Sequence, residues 1–296
     1  MIPKIKKSNL FALKALFAYG DKKKLSGLIP PSDIAEERGI SFGPHGKDNL
    51  LDIYYPRDTK EPLPTIVDIH GGGWFYGGIE AYRLYCMRLA TMGFAVVNFN
   101  YRLAPKNQYP APLEDVNSVM NWVAEKGKEH FIDAGNLFFV GDSAGGQLAE
   151  QYITIMTNPD YAKLFEFKAP NLDIKAAGLN CGVYHIGKDK PVNEDFGYYF
   201  GEEPSEETKK QFPVEDYITS DFPPSFITTA TDDFCNEFAK PLADILENVG
   251  VTNKFKEYRS FDGKKLQHVF HLGLKTREAE VCNQEQTDFF KKFINT

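Results

Sequence analysis

Gly141-Asp142-Ser143-Ala144-Gly145, followed by Gly146, is the segment with the clearest chemical meaning in this sequence. The apolar run Leu137-Phe138-Phe139-Val140 feeds into it and a helical pattern follows, which is the setting a Gly-x-Ser-x-Gly elbow requires. Such a turn is sharp and holds its serine in a strained backbone conformation, so the flanking positions must lack side chains. The hydroxyl then stands at a helix start, where free amides and the helix dipole favour negative charge. The pattern predicts Ser143 as a nucleophile for acyl transfer.

Attack on an acyl carbonyl creates an oxyanion, which needs backbone amides aimed at one point. His70-Gly71-Gly72-Gly73-Trp74 sits at the end of another apolar run, and consecutive glycines let the chain come close and turn amides inward. Each such donor is worth roughly 3 to 4 kcal/mol in the transition state. The expected donors are the amides of Gly71, Gly72 and Ala144. Neither a Gly-x-Gly-x-x-Gly register opening a helix nor a Gly-Lys-Ser/Thr ending is present, so a phosphate-binding loop is not expected. His70 reads as structural. Trp74, Phe75 and Tyr76 either wall the pocket or pack beneath a cover; Trp74 and Tyr76 are the candidates for substrate contact.

A serine hydroxyl needs a base, and a base needs an orienting acid. The acid is sought past the run Ser225-Phe226-Ile227-Thr228-Thr229-Ala230, where Asp232 and Asp233 stand. Asp233 is preferred, because Asp232 suits a helix N-cap ahead of Glu237. After the next run, Lys254 to Ser260, come His268 and His271. His268 is the expected base, since an imidazole titrates near neutral pH. His185 precedes both aspartates and falls in the wrong chain order.

These groups need a frame. Short β-branched runs alternate with longer helical patterns along the whole chain, which predicts an α/β fold with a mostly parallel central sheet flanked by helices. The expected strands are Leu50-Tyr55, Thr65-His70, Phe94-Tyr101, Leu137-Gly141, Ala176-Cys181, Ser225-Ala230 and Lys254-Ser260. The expected helices are Ala81-Met92, Pro112-Gly127, Ala144-Met156, Glu237-Val249 and Thr276-Phe293. Residues 1–296 are read as one domain. Residues 1–45 and 184–224 break the alternation, the second carrying Phe196-Gly197-Tyr198-Tyr199-Phe200-Gly201, and both are read as a cap over the pocket.

At 296 residues with 42% hydrophobic content, the chain can bury a core without disulfides or a structural metal. A net charge of −7 argues against nucleic acid as a partner. The first 24 residues carry seven lysines against Asp21 alone, a local +6 that leaves −13 elsewhere. The plain reading is a solvated basic helix face; contact with a membrane surface or a partner protein is the alternative. Leu10, Leu13, Leu16 and Phe17 recur at helical spacing, predicting an amphipathic helix rather than a secretion signal, and no run is long enough for stable membrane insertion. Cys86, Cys181, Cys235 and Cys282 form no Cys-x-x-Cys pair, as expected of reduced thiols in a cytoplasm. No His-Glu-x-x-His is present, so a helical zinc site is not indicated; the expected cofactor set is none. Self-association as a homo-oligomer is left open.

The ordered motifs resemble those of the bacterial hormone-sensitive-lipase-like carboxylesterases of the α/β-hydrolase superfamily. The resemblance runs over residues 50–295, through His70-Gly71-Gly72-Gly73-Trp74, Asn100-Tyr101-Arg102-Leu103-Ala104-Pro105, Tyr109-Pro110-Ala111-Pro112-Leu113-Glu114-Asp115, the Ser143 elbow and His268-Val269-Phe270. It implies an α/β-hydrolase fold under a helical cap, metal-independent hydrolysis, and short acyl esters of the acetyl type as small-molecule substrates. Arg102 and Asp115 are expected to form a charge pair supporting the oxyanion loop. The family's Asp-Pro-Leu-Arg-Asp motif reads here Asp233-Phe234-Cys235-Asn236-Glu237, a departure at the acid. Two alternatives stand beside the esterase reading: an amide or arylformamide hydrolase using the same groups, and a non-catalytic ligand-binding protein on the same fold.

Overall fold

The computed structural model describes residues 7–186 and 192–295. Eight strands form one sheet in the order β1-β2-β4-β3-β5-β6-β7-β8. They are β1 (Ile34–Ser41), β2 (Leu50–Pro56), β3 (Leu63–Ile69), β4 (Ala95–Phe99), β5 (Ile132–Asp142), β6 (Ile174–Asn180), β7 (Ser225–Ala230) and β8 (Asn253–Tyr258). The pairs β1–β2 and β2–β4 are antiparallel, and every pair from β4 to β8 is parallel. Parallel strands buried on both faces read as continuous apolar runs, which is why β3, β4, β5 and β7 were legible.

The helices are α1 (Leu10–Leu25), α2 (Ile79–Ala90), α3 (Ala111–Lys126), α4 (Ala144–Thr157), the single turn α5 (Pro159–Ala162), α6 (Val192–Phe200), the single turn α7 (Glu206–Lys209), α8 (Asn236–Asn248) and α9 (Arg277–Lys291). Two apolar clusters divide the core. One joins the sheet to Leu113, Val116 and Met120 of α3, Leu148 and Ile153 of α4, and Leu242 and Leu246 of α8. The other joins it to Cys86 and Leu89 of α2 and to Cys282 and Phe290 of α9. All four cysteines are free and buried, and no helix among the described residues is long and apolar enough to cross a membrane.

Two expectations are corrected. Residues 34–41, assigned to the cap, are the antiparallel edge strand β1. Its alternation is broken by a register shift between Glu37 and Ile40, with Gly39 at φ +69°, so no clean period of two survives in the sequence. The N-terminal helix forms, but it is not amphipathic. Leu10 is buried and Leu13 and Phe17 pack on the core, whereas Leu16 is 61% exposed beside Phe11 at 86% and Tyr19 at 68%. The stretches of the expected cap at 1–6 and 187–191 lie outside the described residues.

Candidate active site

β5 ends at Asp142 and α4 begins at Ala144, leaving Ser143 alone in the turn at φ 53°, ψ −118°. That region is costly for a residue with a Cβ, and the surroundings hold it there. The Ser143 amide donates to Asn180 O at 3.0 Å, and its carbonyl accepts from Gln147 N and Val183 N. The glycines are required by contact. A Cβ on Gly145 would lie 1.9 Å from Ile69 O at the end of β3, and one on Gly141 would lie 2.4 Å from Gly145 O.

His268 arrives on the loop after β8. Its Nδ1 lies 2.7 Å from Asp233 Oδ1 and its Nε2 lies 2.9 Å from Ser143 Oγ. A carboxylate only accepts, so Nδ1 carries the proton and Nε2 is left to accept from the serine hydroxyl. The Phe234 ring, 4.1 Å from the imidazole centroid, packs against His268. Asp233 is buried in the turn after β7. Burial pushes its carboxyl upward, but hydrogen bonds from His268, the Cys181 thiol and the Cys235 amide outweigh this and hold it below the usual aspartate value. Asp232 is exposed, and its Oδ2 accepts from Leu266 N at 3.1 Å, which pins the loop leading to His268.

The structure therefore brings Ser143, His268 and Asp233 together and leaves the rival candidates elsewhere. His271 is fully buried, its ring edge-on to Tyr85 and Phe270, and burial drives it down to about 3. His185 faces Glu215, with Nδ1 3.3 Å from the carboxylate. His70 is stacked on Tyr101 at 4.1 Å, Nδ1 lies 2.8 Å from Gly71 O, and burial lowers it to about 4. The ligand atoms of Cys181, Asp233 and His268 lie within 4.8 Å of one another. Both imidazole nitrogens are already engaged and burial raises the Cys181 thiol, so this cluster reads as a hydrogen-bond chain.

The oxyanion loop needs one correction. The Gly71 amide donates to Tyr82 Oη at 2.9 Å, and that hydroxyl donates to Asp142 Oδ2 at 2.9 Å. Gly71 is thus committed to tying the loop to the elbow and is not a free donor. The amides of Gly72, Gly73 and Ala144 have no acceptor among the described residues. Gly72 at φ +112° has no room for a side chain, since a Cβ would lie 2.2 Å from Tyr76 O. Sequence reasoning missed Gly73; no local signal distinguishes it from Gly71, because the hydroxyl that occupies Gly71 comes from α2.

Arg102 and Asp115 form the expected pair. Arg102 Nε lies 3.0 and 2.9 Å from the two carboxylate oxygens, and its backbone amide donates to Oδ2 at 2.7 Å. This fixes the segment whose Ala104 amide donates to Trp74 O at 2.8 Å, so the pair braces the oxyanion loop from behind. Trp74 borders the cavity, but its ring is buried, parallel to Tyr199 of α6 at 4.8 Å, with Nε1 donating to Gln147 at 3.2 Å. Tyr76 lines the cavity and its hydroxyl donates to Asp21 of α1 at 2.8 Å.

These groups open into one cavity of about 590 Å³. Its lining is mainly apolar, including Leu13 and Phe17 of α1, Phe196 and Tyr198 of α6, Val183 and Leu274. Its size and character are those of an ordinary small-molecule site.

Asp142 makes the stability of this region pH-dependent. Burial raises its carboxyl to about 7, against the hydrogen bond from Tyr82 and the charge of Lys24. The unfolded chain releases that proton near the ordinary aspartate value of 3.8, so between the two values the native state holds the extra proton. Stability from this group falls as pH rises across that window, by at most about 4 kcal/mol, and levels off above it. Asp142→Asn is expected to flatten the fall in urea-unfolding free energy between pH about 4 and about 8. An unaltered slope in the variant refutes the assignment.

A parallel sheet, a serine elbow after its fifth strand and a histidine loop after its last strand define the α/β-hydrolase class of fold. The chain belongs to the α/β-hydrolase fold family, whose profile matches residues 66–272. The carboxylesterase NlhH of Mycobacterium tuberculosis is 28% identical over 244 residues, covering 78% of this chain and 76% of that one. Esterase B of Lactobacillus rhamnosis, solved with a C4-C4 tributyrin phosphonate inhibitor, superposes with a TM-score of 0.87 at 25% identity. The match covers 98% of this chain and 96% of that one. An esterase of the bacterial hormone-sensitive lipase family shares the fold with a TM-score of 0.72 at 17% identity, over 98% of this chain and all of that one. The fold and the family read from the ordered motifs are borne out.

Proposed function

We propose that this protein is a serine carboxylesterase whose triad is Ser143, His268 and Asp233 and whose oxyanion donors are the amides of Gly72, Gly73 and Ala144. The chain is a carboxylic ester hydrolase; the triad, its donors and the acyl preference are the finer reading. One observation carries it: the Asp233–His268–Ser143 chain, with contacts of 2.7 and 2.9 Å, ends at the cavity that Gly72 and Gly73 line, and the amides of these two and of Ala144 have no acceptor among the described residues. His268 Nε2 takes the proton from Ser143 Oγ as the oxygen attacks the acyl carbon. The charge gathering on the carbonyl oxygen is met by the three amides and by the N-terminus of α4. The same imidazole returns its proton to the departing alkoxide. It then deprotonates the water that attacks the acyl-enzyme, and the acid leaves as Ser143 recovers its proton. Asp233, kept ionised, holds the imidazole in the productive tautomer and stabilises its cation.

The apolar lining and the cavity volume support neutral esters with acyl groups of the acetyl to butyryl class. The cap over this pocket is read as α1 and the segment carrying α6, which supply Leu13, Phe17, Phe196 and Tyr198 to its lining and form one unit with the sheet domain. The test is kcat/KM for p-nitrophenyl acetate, butyrate and octanoate beside a formanilide-type amide. Acetate and butyrate are expected to exceed octanoate, and all the esters to exceed the amide by orders of magnitude. Amide turnover above ester turnover overturns the esterase reading. Absence of turnover together with tight ligand binding makes the protein a binding module.

A further inference from the structure

A surface helix of a globular protein ordinarily buries one apolar stripe and gives polar residues to water. α1 does not. Its inner face is occupied by Leu10, Leu13 and Phe17, the last stacked on Phe75 at 5.6 Å. Its outer face presents Phe11, Leu16 and Tyr19, with Ala12, Ala15 and Ala18 exposed between them. Ile29, 86% exposed, follows four residues beyond the end of the helix. These four are most of the large hydrophobic side chains exposed among the described residues; Phe234 and Phe261 are the others. A contiguous patch of this kind marks a contact surface.

Charge selects what the surface contacts. Lys22, Lys23 and Lys24 are exposed at the end of α1, and the first 24 residues carry +6 on a chain whose remainder carries −13. Such a dipolar molecule is turned by its own field so that the basic pole meets an anionic surface while the acidic body is held away. Two copies pairing through α1 would instead oppose two basic poles. We infer that α1 and Ile29 form a peripheral docking surface for an anionic lipid bilayer. The helix lies in the interfacial plane, with Phe11, Leu16, Tyr19 and Ile29 among the acyl chains and the lysines at the headgroups. Leu13, Leu16, Phe17 and Tyr19 also line the cavity, so docking sets its wall against the lipid, where apolar esters partition. That consequence rests on the esterase reading; the docking does not.

The test is flotation of the full chain with vesicles of phosphatidylcholine alone and of phosphatidylcholine mixed with phosphatidylglycerol. Binding is expected only to the anionic vesicles. It should weaken steeply as salt shortens the screening length from about 10 Å at 0.1 M to about 3 Å at 1 M. Phe11→Ser with Ile29→Ser, and separately Lys22→Glu with Lys23→Glu, are each expected to weaken binding roughly twenty-fold or more. None of these four residues lines the cavity, so hydrolysis of soluble p-nitrophenyl acetate should be unchanged, which separates loss of docking from loss of the site or of the fold. The inference is overturned by failure to float with anionic vesicles or by equal binding to neutral ones. It is equally overturned by a dimer in light scattering that Phe11→Ser with Ile29→Ser dissociates, which would make the patch an interface between copies.

Discussion

Ser143→Ala is expected to lower kcat for p-nitrophenyl butyrate by about 10⁵- to 10⁶-fold, and to abolish covalent labelling by a fluorophosphonate probe. The size follows from what the substitution removes and what it leaves. Without the hydroxyl no acyl-enzyme forms, and His268 has nothing to deprotonate but water. The free amides of Gly72, Gly73 and Ala144 would still polarise a bound carbonyl, so a residual enhancement of about 10³ over water should survive. The fold should tolerate the change: Ser143 is anchored through its backbone to Asn180 and Val183, and among the described residues its side chain bonds only to His268. Removing the hydroxyl from a residue at φ 53° keeps the Cβ that makes the turn costly, so thermal stability should stay near that of the wild type. Labelling of the variant at another residue, or a wild type that hydrolyses esters but resists the probe, would show that the nucleophile lies elsewhere.

Asp233→Asn is expected to cost about 10⁴-fold in kcat near neutral pH, whereas Asp232→Asn should cost less than about ten-fold. The two side chains are neighbours with unlike surroundings. Asp233 Oδ1 accepts from His268 Nδ1 and from the Cys235 amide, each at 2.7 Å, and Oδ2 accepts from Thr229 Oγ1 at 3.3 Å. An amide group there can present its NH₂ to the imidazole, which drives the proton to Nε2 and leaves Ser143 facing a donor. It also withdraws the charge that stabilises the imidazolium. Asp232 instead holds Leu266 N from an exposed position, so its loss should appear as about 1 kcal/mol of stability with kcat nearly intact. Equal losses, or a larger loss at Asp232, would reassign the acid.

The assignment of the acid marks where local reading of the chain stops. Positions 234–237 depart from the motif of the family the chain resembles, so the match around the acid is loose, and two adjacent aspartates follow β7. What separates them is burial and the approach of a loop from 35 residues further along. Ser143 needed no such help. Gly141 is there because its Cβ would strike Gly145 O within the elbow, a requirement written within five residues, whereas Gly145 also answers to Ile69 O at the adjoining end of β3. The buried parallel strands were legible for a similar reason, since covering both faces makes each a short apolar run. β1 was not, because its bulge at Arg38-Gly39 breaks the alternation by which a half-exposed edge strand is recognised.

By itself the chain determined a serine elbow, a glycine loop for an oxyanion, a histidine after the last strand and an α/β frame to join them. Each of these is announced by residue types at fixed spacing over a short stretch of chain, even where, as at Gly145, the contact that demands the residue comes from another strand. Tertiary structure alone decided which amides remain free and which face of α1 stays uncovered. Gly71 is taken by a tyrosine hydroxyl from α2, while Gly73 lines the cavity with its amide free of any acceptor among the described residues, and the outer side of α1 stays largely exposed. Hydrogen-bond satisfaction and burial are properties of the surroundings in space. Identical glycines in a row, or leucines one turn apart, acquire different roles only when distant elements arrive beside them.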